Sequence, residues 1–232
     1  AVVLVAGLRS LHCLRHGSGL ISLLAQFAWW LLWATAVSLC LWVVVGATAL
    51  GASWRALAAI LPWLLLAGLL QWRWRWMVEP LQQAHANGRS GLQAVVAVIL
   101  GCWWVSVLFA AGDARPLPWL PLLNPLELGL GAALVLPWLW LREHHRQSLP
   151  ERVQTVLGAM AALLLLSMAA LRAVHHLGGV AWSFVATSVP GQTSLTLLWS
   201  VLGMAGWIAG SRRGNRNLWL GGALLMAVVL IK

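Results

Sequence analysis

An all-α fold, a polytopic transmembrane helix bundle, is what this sequence predicts, and three observations predict it. Of the 232 residues 61% are apolar and only 9% charged, where a soluble domain carries about 25% charged residues. So little charge could not cover a water-facing surface, whereas a surface facing hydrocarbon needs no such cover. The apolar residues gather into runs near the roughly 20 that cross a bilayer. Finally, there are 18 Trp and no Tyr, an excess of a side chain whose apolar ring and single N–H suit the membrane interface.

Taken in order, residues 1–8 read as the end of a helix that begins earlier, and 9–18 as a polar connection. Apolar runs follow at 19–50, 56–70, 91–111, 125–141, 153–171, 193–210 and 218–231. These give about seven spans plus the partial first helix. Gly51 to Arg55 reads as a short turn, and Pro62 falls near the start of its run, where a helix tolerates it best. The proline-rich stretch from Asp113 to Asn124 breaks helix, and the stretch from Arg172 to Gln192 reads as a mixed loop. No alternation of apolar and polar residues supports a strand. All of 1–232 forms one transmembrane helical module. It starts inside one apolar run and ends directly after another, without an initiator Met or charged leader, and so reads as a fragment of a longer membrane protein.

The net charge of +10 does not point to nucleic acid, because the basic residues form no face and fall in short gaps between apolar runs. If every run crosses, the connections alternate between two sides. One side holds 9–18, 71–90, 142–152 and 211–217, with eleven arginines; the other holds Arg55, Arg115, Arg172 and Lys232. Positive charge is kept on the cytoplasmic side, so loops 71–90, 142–152 and 211–217 are expected in the cytoplasm. The Trp72, Trp74, Trp76 alternation with Arg73 and Arg75 suggests an interfacial segment that holds lipid headgroups. Cys13, Cys40 and Cys102 lie far apart, with no CxxC pair, and read as small buried hydrophobes.

The outward side carries the candidate site. Asp113, Arg115, Trp119, Asn124 and Glu127 fall in one segment; Arg172, His175, His176, Trp182 and Gln192 fall in another. Ionisable groups near membrane depth are costly and are kept for function. On a helix Arg172 would share a face with His175 or His176, and a carboxylate from Asp113 or Glu127 would orient an imidazole and raise its basicity. Such a set suits acid–base chemistry, anion binding or proton coupling. The structural alternative is that Arg172 ends a helix at its negative pole while the histidines satisfy loop carbonyls. His144 and His145 read as a solvated loop pair. His12 and His16 have i, i+4 spacing but lack a third ligand, so no metal site and no cofactor is implied.

Three stretches carry a resemblance: Leu120-Pro121-Leu122-Leu123-Asn124-Pro125-Leu126-Glu127-Leu128, Arg172-Ala173-Val174-His175-His176-Leu177-Gly178-Gly179-Val180-Ala181-Trp182, and Gln192-Thr193-Ser194-Leu195-Thr196-Leu197-Leu198-Trp199-Ser200. They resemble the domain of unknown function 2339 family, large bacterial membrane proteins with many helices, as does the stretch from Arg212 to Lys232. The likeness is good over 115–232 and weak before it. It supplies no activity. It implies that Asn124, Glu127, His175, His176, Trp182 and Gln192 belong to a recurring pattern, and that the chain continues past Lys232.

The expected function is transport or handling of an envelope lipid or glycan precursor at an outward polar site lined by Asp113, Arg115, Glu127, Arg172, His175 and His176. One alternative is a membrane-embedded transferase with His175 or His176 as a catalytic His on the periplasmic side of the bacterial inner membrane, the location that the resemblance implies; the other is a scaffold subunit without a site. Expected partners are membrane lipids and either the rest of a longer chain or other membrane subunits, with no nucleic acid.

Overall fold

The structure, a computed structural model, describes residues 20–74, 86–144 and 150–231. The regular elements there are helices: α1 Leu20–Gly46, α2 Ala52–Trp72, α3 Ala86–Leu108, α4 Pro125–His144, α5 Glu151–Gly178, the single turn α6 Trp182–Val185, α7 Val189–Arg212 and α8 Arg216–Ile231. The expected partial helix at 1–8, the His12/His16 pair, Cys13, Trp76, His145 and the side chain of His144 lie outside the described residues.

Five of these helices are long and apolar enough to cross a membrane: α1 over Leu24–Gly46, α2, α3 over Arg89–Leu108, α5 and α7. The expected seven spans are therefore supported at five. Helix α4 has 20 residues but bears Glu127, Arg142 and Glu143 along its length. Helix α8 has 16 residues, about 24 Å of helix against a hydrocarbon core of about 30 Å.

Helix limits differ from the sequence reading where charge was taken for a boundary. Helix α2 begins at Ala52, so the expected turn ending at Arg55 is helical and Pro62 lies in mid-helix. There it leaves the Ala58 carbonyl without its helical donor. Arg55 is accommodated because its guanidinium turns back to the end of α1, donating to the Gly46 carbonyl at 3.3 Å and lying 5.8 Å from the Trp42 ring. Helix α5 likewise runs through Arg172 to Gly178, and ends where Gly179 takes φ +68°, the left-handed conformation that terminates helices.

The described residues fall into two compact units, 20–118 with 123–162 and 119–122 with 163–231, and α5 contributes to both. In the first unit α2, α3 and α4 pack on one another and α1 packs on α2. Their core joins Ala34, Ile60, Trp63, Leu64, Leu66, Leu70, Leu92, Val96, Leu100 and Ala133. Trp74, expected at the interface, instead packs against this core, its ring 6.3 Å from that of Phe27, while Trp72 is exposed.

Polar contacts tie each end of the first unit. At one end the backbone after α3 closes over the start of α2: Gly51 N–H donates to the Arg115 carbonyl at 2.8 Å and Ser53 N–H to the Asp113 carbonyl at 3.0 Å. The Trp54 indole donates to the Ala114 carbonyl at 3.1 Å. This approach requires glycine, since a Cβ at Gly51 would stand 2.4 Å from the Asp113 carbonyl oxygen. At the opposite end Arg89 donates to the carbonyls of Leu70 and Gln71 at 3.0 and 2.8 Å, closing the C-terminus of α2. There Gln93 Nε2 donates to Gln71 Oε1 at 3.1 Å, and Gln71 Nε2 donates to Glu143. Helix α4 thus reaches with its last turn the end where α2 finishes and α3 begins.

In the second unit α7 and α8 form a tight antiparallel hairpin. A Cβ at Gly210 would stand 2.3 Å from Trp219 N, and one at Gly222 would stand 2.4 Å from Trp207 N. Backbone therefore meets backbone, the packing that small residues permit between membrane helices. Ser167 of α5 is buried and accepts from the Trp199 indole of α7 at 2.9 Å. A hydrogen bond of this kind joins helices in a medium that offers no water as a competitor.

Candidate functional site

Four of the expected site residues belong to the first unit, and each has a local structural task. Asp113 and Arg115 pair with each other: the guanidinium approaches the carboxylate at 2.7 Å, and the Arg115 side chain is 82% exposed. The Asp113 carboxylate raises the Arg115 pKa above its ordinary value, first by hydrogen bonding and then by charge. Asn124 is a helix cap. Its Oδ1 accepts from the Glu127 backbone N–H at 3.0 Å, Pro125 is the first residue of α4, and Glu127 stands at the third position with its side chain buried. Asn-Pro-x-Glu matches the pattern that opens a helix: a polar cap, a proline whose missing N–H costs nothing, and an acid near the positive pole. That signal was present in the sequence and reads as start-of-helix chemistry before it reads as a site.

The other five belong to the second unit. Gln192 lies in the first turn of α7 and donates to the Ala186 carbonyl. Just before it, Ser188 caps α7 by accepting from Gly191 N–H at 3.1 Å. Gln192 therefore fixes the turn between α6 and α7.

His175, His176 and Trp182 come together, and Trp119 joins them. The His176 ring stacks on the Trp119 indole with centroids 5.0 Å apart and planes 20° from parallel. His175 meets His176 edge-on at 4.6 Å and Trp182 edge-on at 5.7 Å. The result is a row of rings from Trp119 through both imidazoles to Trp182. It exists because α5 continues past Arg172, placing both histidines in its last turn, and because the chain reverses at Gly179 so that α6 returns Trp182 to His175.

His175 Nδ1 lies 2.6 Å from the Val180 carbonyl. A carbonyl only accepts, so Nδ1 carries a proton, an assignment made from the partner. The partner of Nδ1 is thus a backbone carbonyl rather than the carboxylate that the transferase reading expects. Arg172, one helical turn before the histidines, is 0% exposed; burying a guanidinium is costly unless it is paired. The Trp119 indole Nε1 is buried without an acceptor among the described residues. Trp119 was legible in the sequence as a neighbour of the outward residues, but nothing in its spacing announced the stack on His176.

Among the described residues no group of three His, Cys, Asp or Glu side chains gathers to hold a metal ion. Cys40 and Cys102 are free thiols on exposed helix surface, not the buried positions expected.

No curated protein and no solved structure matches the chain. A family model does, and over residues 1–232, so the likeness that the sequence carries strongly only after 115 extends through the first half. With five helices of membrane-crossing length and composition among the described residues, the chain belongs to the family described as predicted membrane protein (DUF2339).

Proposed function

We propose that this membrane protein handles an envelope lipid or glycan precursor on the outward side of the bacterial inner membrane, at the ring cluster of Trp119, His175, His176 and Trp182 in the second unit. The observation that carries the reading is the buried Trp119 indole N–H, which has no acceptor among the described residues and sits beside two imidazoles. An unmet donor beside flat rings suits a ligand with acceptor oxygens and an apolar or ring-shaped body. Arg172 supplies the positive charge that favours an anionic group.

The proposed topology has seven crossings, with loops 71–90, 142–152 and 211–217 cytoplasmic. Support comes from the first unit, where α4 reaches the Gln71 end with Glu143 as a crossing helix must, and where Gly51 and Ser53 meet Asp113 and Arg115 at the other end.

The test is lipid analysis of the whole protein purified in nanodiscs drawn from its own membrane. The wild type should enrich a phosphate- or sugar-bearing envelope lipid over the bulk, and His175→Ala/His176→Ala should lose it while remaining folded. Identical lipid profiles would end the reading.

A transferase reading draws on one observation of its own. The Val180 carbonyl holds neutral His175 in the tautomer whose Nε2 can accept a proton. It expects His175→Ala to abolish turnover of a bound lipid without abolishing its binding.

A further inference from the structure

A second site stands out at the turn between α7 and α8, apart from the ring cluster. Arg212 is the last residue of α7, Arg213 its C-cap and Arg216 the first residue of α8, and all three are exposed. The turn that carries them is tightly bonded. Arg213 N–H donates to the Ala209 carbonyl at 3.0 Å and Asn215 N–H to the Gly210 carbonyl at 2.9 Å. Gly214 takes φ +62°. Asn215 Oδ1 accepts from the backbone of Asn217 and Leu218 at 3.1 and 3.2 Å, capping α8. With Gly210 backbone against Trp219 backbone, the three guanidiniums spring from one compact base.

The second unit itself offers these charges no counterpart. All five acidic residues of the chain, Glu79, Asp113, Glu127, Glu143 and Glu151, precede residue 163, so the second unit contains no carboxylate side chain. Arg212 and Arg213 at the negative pole of α7 are favourably placed, but Arg216 stands at the positive pole of α8, where a cation is disfavoured. Trp219, one turn along α8, is exposed and edge-on to Trp207 at 6.5 Å. A Trp at the interface puts the preceding turn at the level of lipid phosphates.

We infer that the Arg212–Arg213–Arg216 turn binds the headgroup phosphate of an anionic phospholipid. Guanidiniums suit it because each can donate to two phosphate oxygens at once, and basic residues beside a membrane helix draw anionic lipid.

The whole protein in neutral detergent, titrated with phosphatidylglycerol or phosphatidylcholine and followed by native mass spectrometry, tests this. The wild type should bind phosphatidylglycerol on the order of tenfold more tightly than phosphatidylcholine. The variant R212Q/R213Q/R216Q should lose that preference, and R212K/R213K/R216K should keep most of it. The single change R216Q, which relieves the unfavourable pole of α8, should weaken the preference without lowering the thermal midpoint. An equal loss of charge elsewhere, R142Q/R146Q/R152Q, should leave the preference intact. The inference is overturned if the glutamine variants keep the preference, if the remote set abolishes it equally, or if millimolar inorganic phosphate displaces the lipid, which would make the turn a site for a soluble anion.

Discussion

Asn124 and His176 show how differently two polar residues of one segment pattern are used. Asn124 caps α4 through the Glu127 N–H, so Asn124→Ala should cost about 1 kcal/mol, read as a lower midpoint in thermal unfolding of the detergent-solubilised protein. His176 stacks on Trp119, and His176→Ala should cost about 0.5–1.5 kcal/mol in the same measurement, whereas His176→Phe should recover part of it. Arg115 is paired with Asp113 but lies in solvent, where such pairs contribute little; Arg115→Ala should leave the midpoint unchanged. The sequence placed all of these residues in its candidate site because each is a polar group beside an apolar run. Which of them caps, which pairs and which stacks depends on neighbours such as Trp119 that only the folded chain supplies.

Helices were legible in the sequence as apolar runs, and their ends were not. The run before Arg172 looks finished because a charge follows it, yet α5 continues to Gly178. What stops a helix is backbone conformation, here the positive φ of Gly179, and not the arrival of a charged side chain. Arg55 taught the same lesson at the start of α2, where its head returns to the Gly46 carbonyl and lies near the Trp42 ring. The α7–α8 hairpin gives a prediction at this scale from two adjacent glycines. A Cβ at Gly222 would strike the Trp207 backbone at 2.4 Å, whereas one at Gly221 would meet nothing within 4 Å. Gly222→Ala should therefore destabilise by about 1–3 kcal/mol, and Gly221→Ala should be neutral or mildly stabilising because Ala is the better helix former. Chemical or thermal unfolding of the two variants side by side checks this; equal behaviour would mean that the hairpin does not pack through Gly222.

The whole molecule is where composition spoke most clearly and chemistry least. Little charge, long apolar runs and abundant Trp led directly to a membrane helix protein, and the family match over residues 1–232 agrees. The number of crossings was harder to read, because α4 carries three charged residues and α8 has only 16 residues, and hydropathy alone does not decide such helices. Charge asymmetry gave a direction, eleven arginines against four basic residues. The proposed topology has the Trp119–His175–His176–Trp182 cluster outside and the Arg212–Arg216 turn inside. Both ends can be reached with single cysteines in a background where Cys13, Cys40 and Cys102 are replaced by Ala. Ser183, beside the cluster, and Arg213, in the turn, are both exposed. In intact cells a membrane-impermeant maleimide should label Ser183→Cys at once and Arg213→Cys only after the membrane is opened; labelling of Arg213→Cys but not Ser183→Cys in intact cells, or of both alike, would contradict the account.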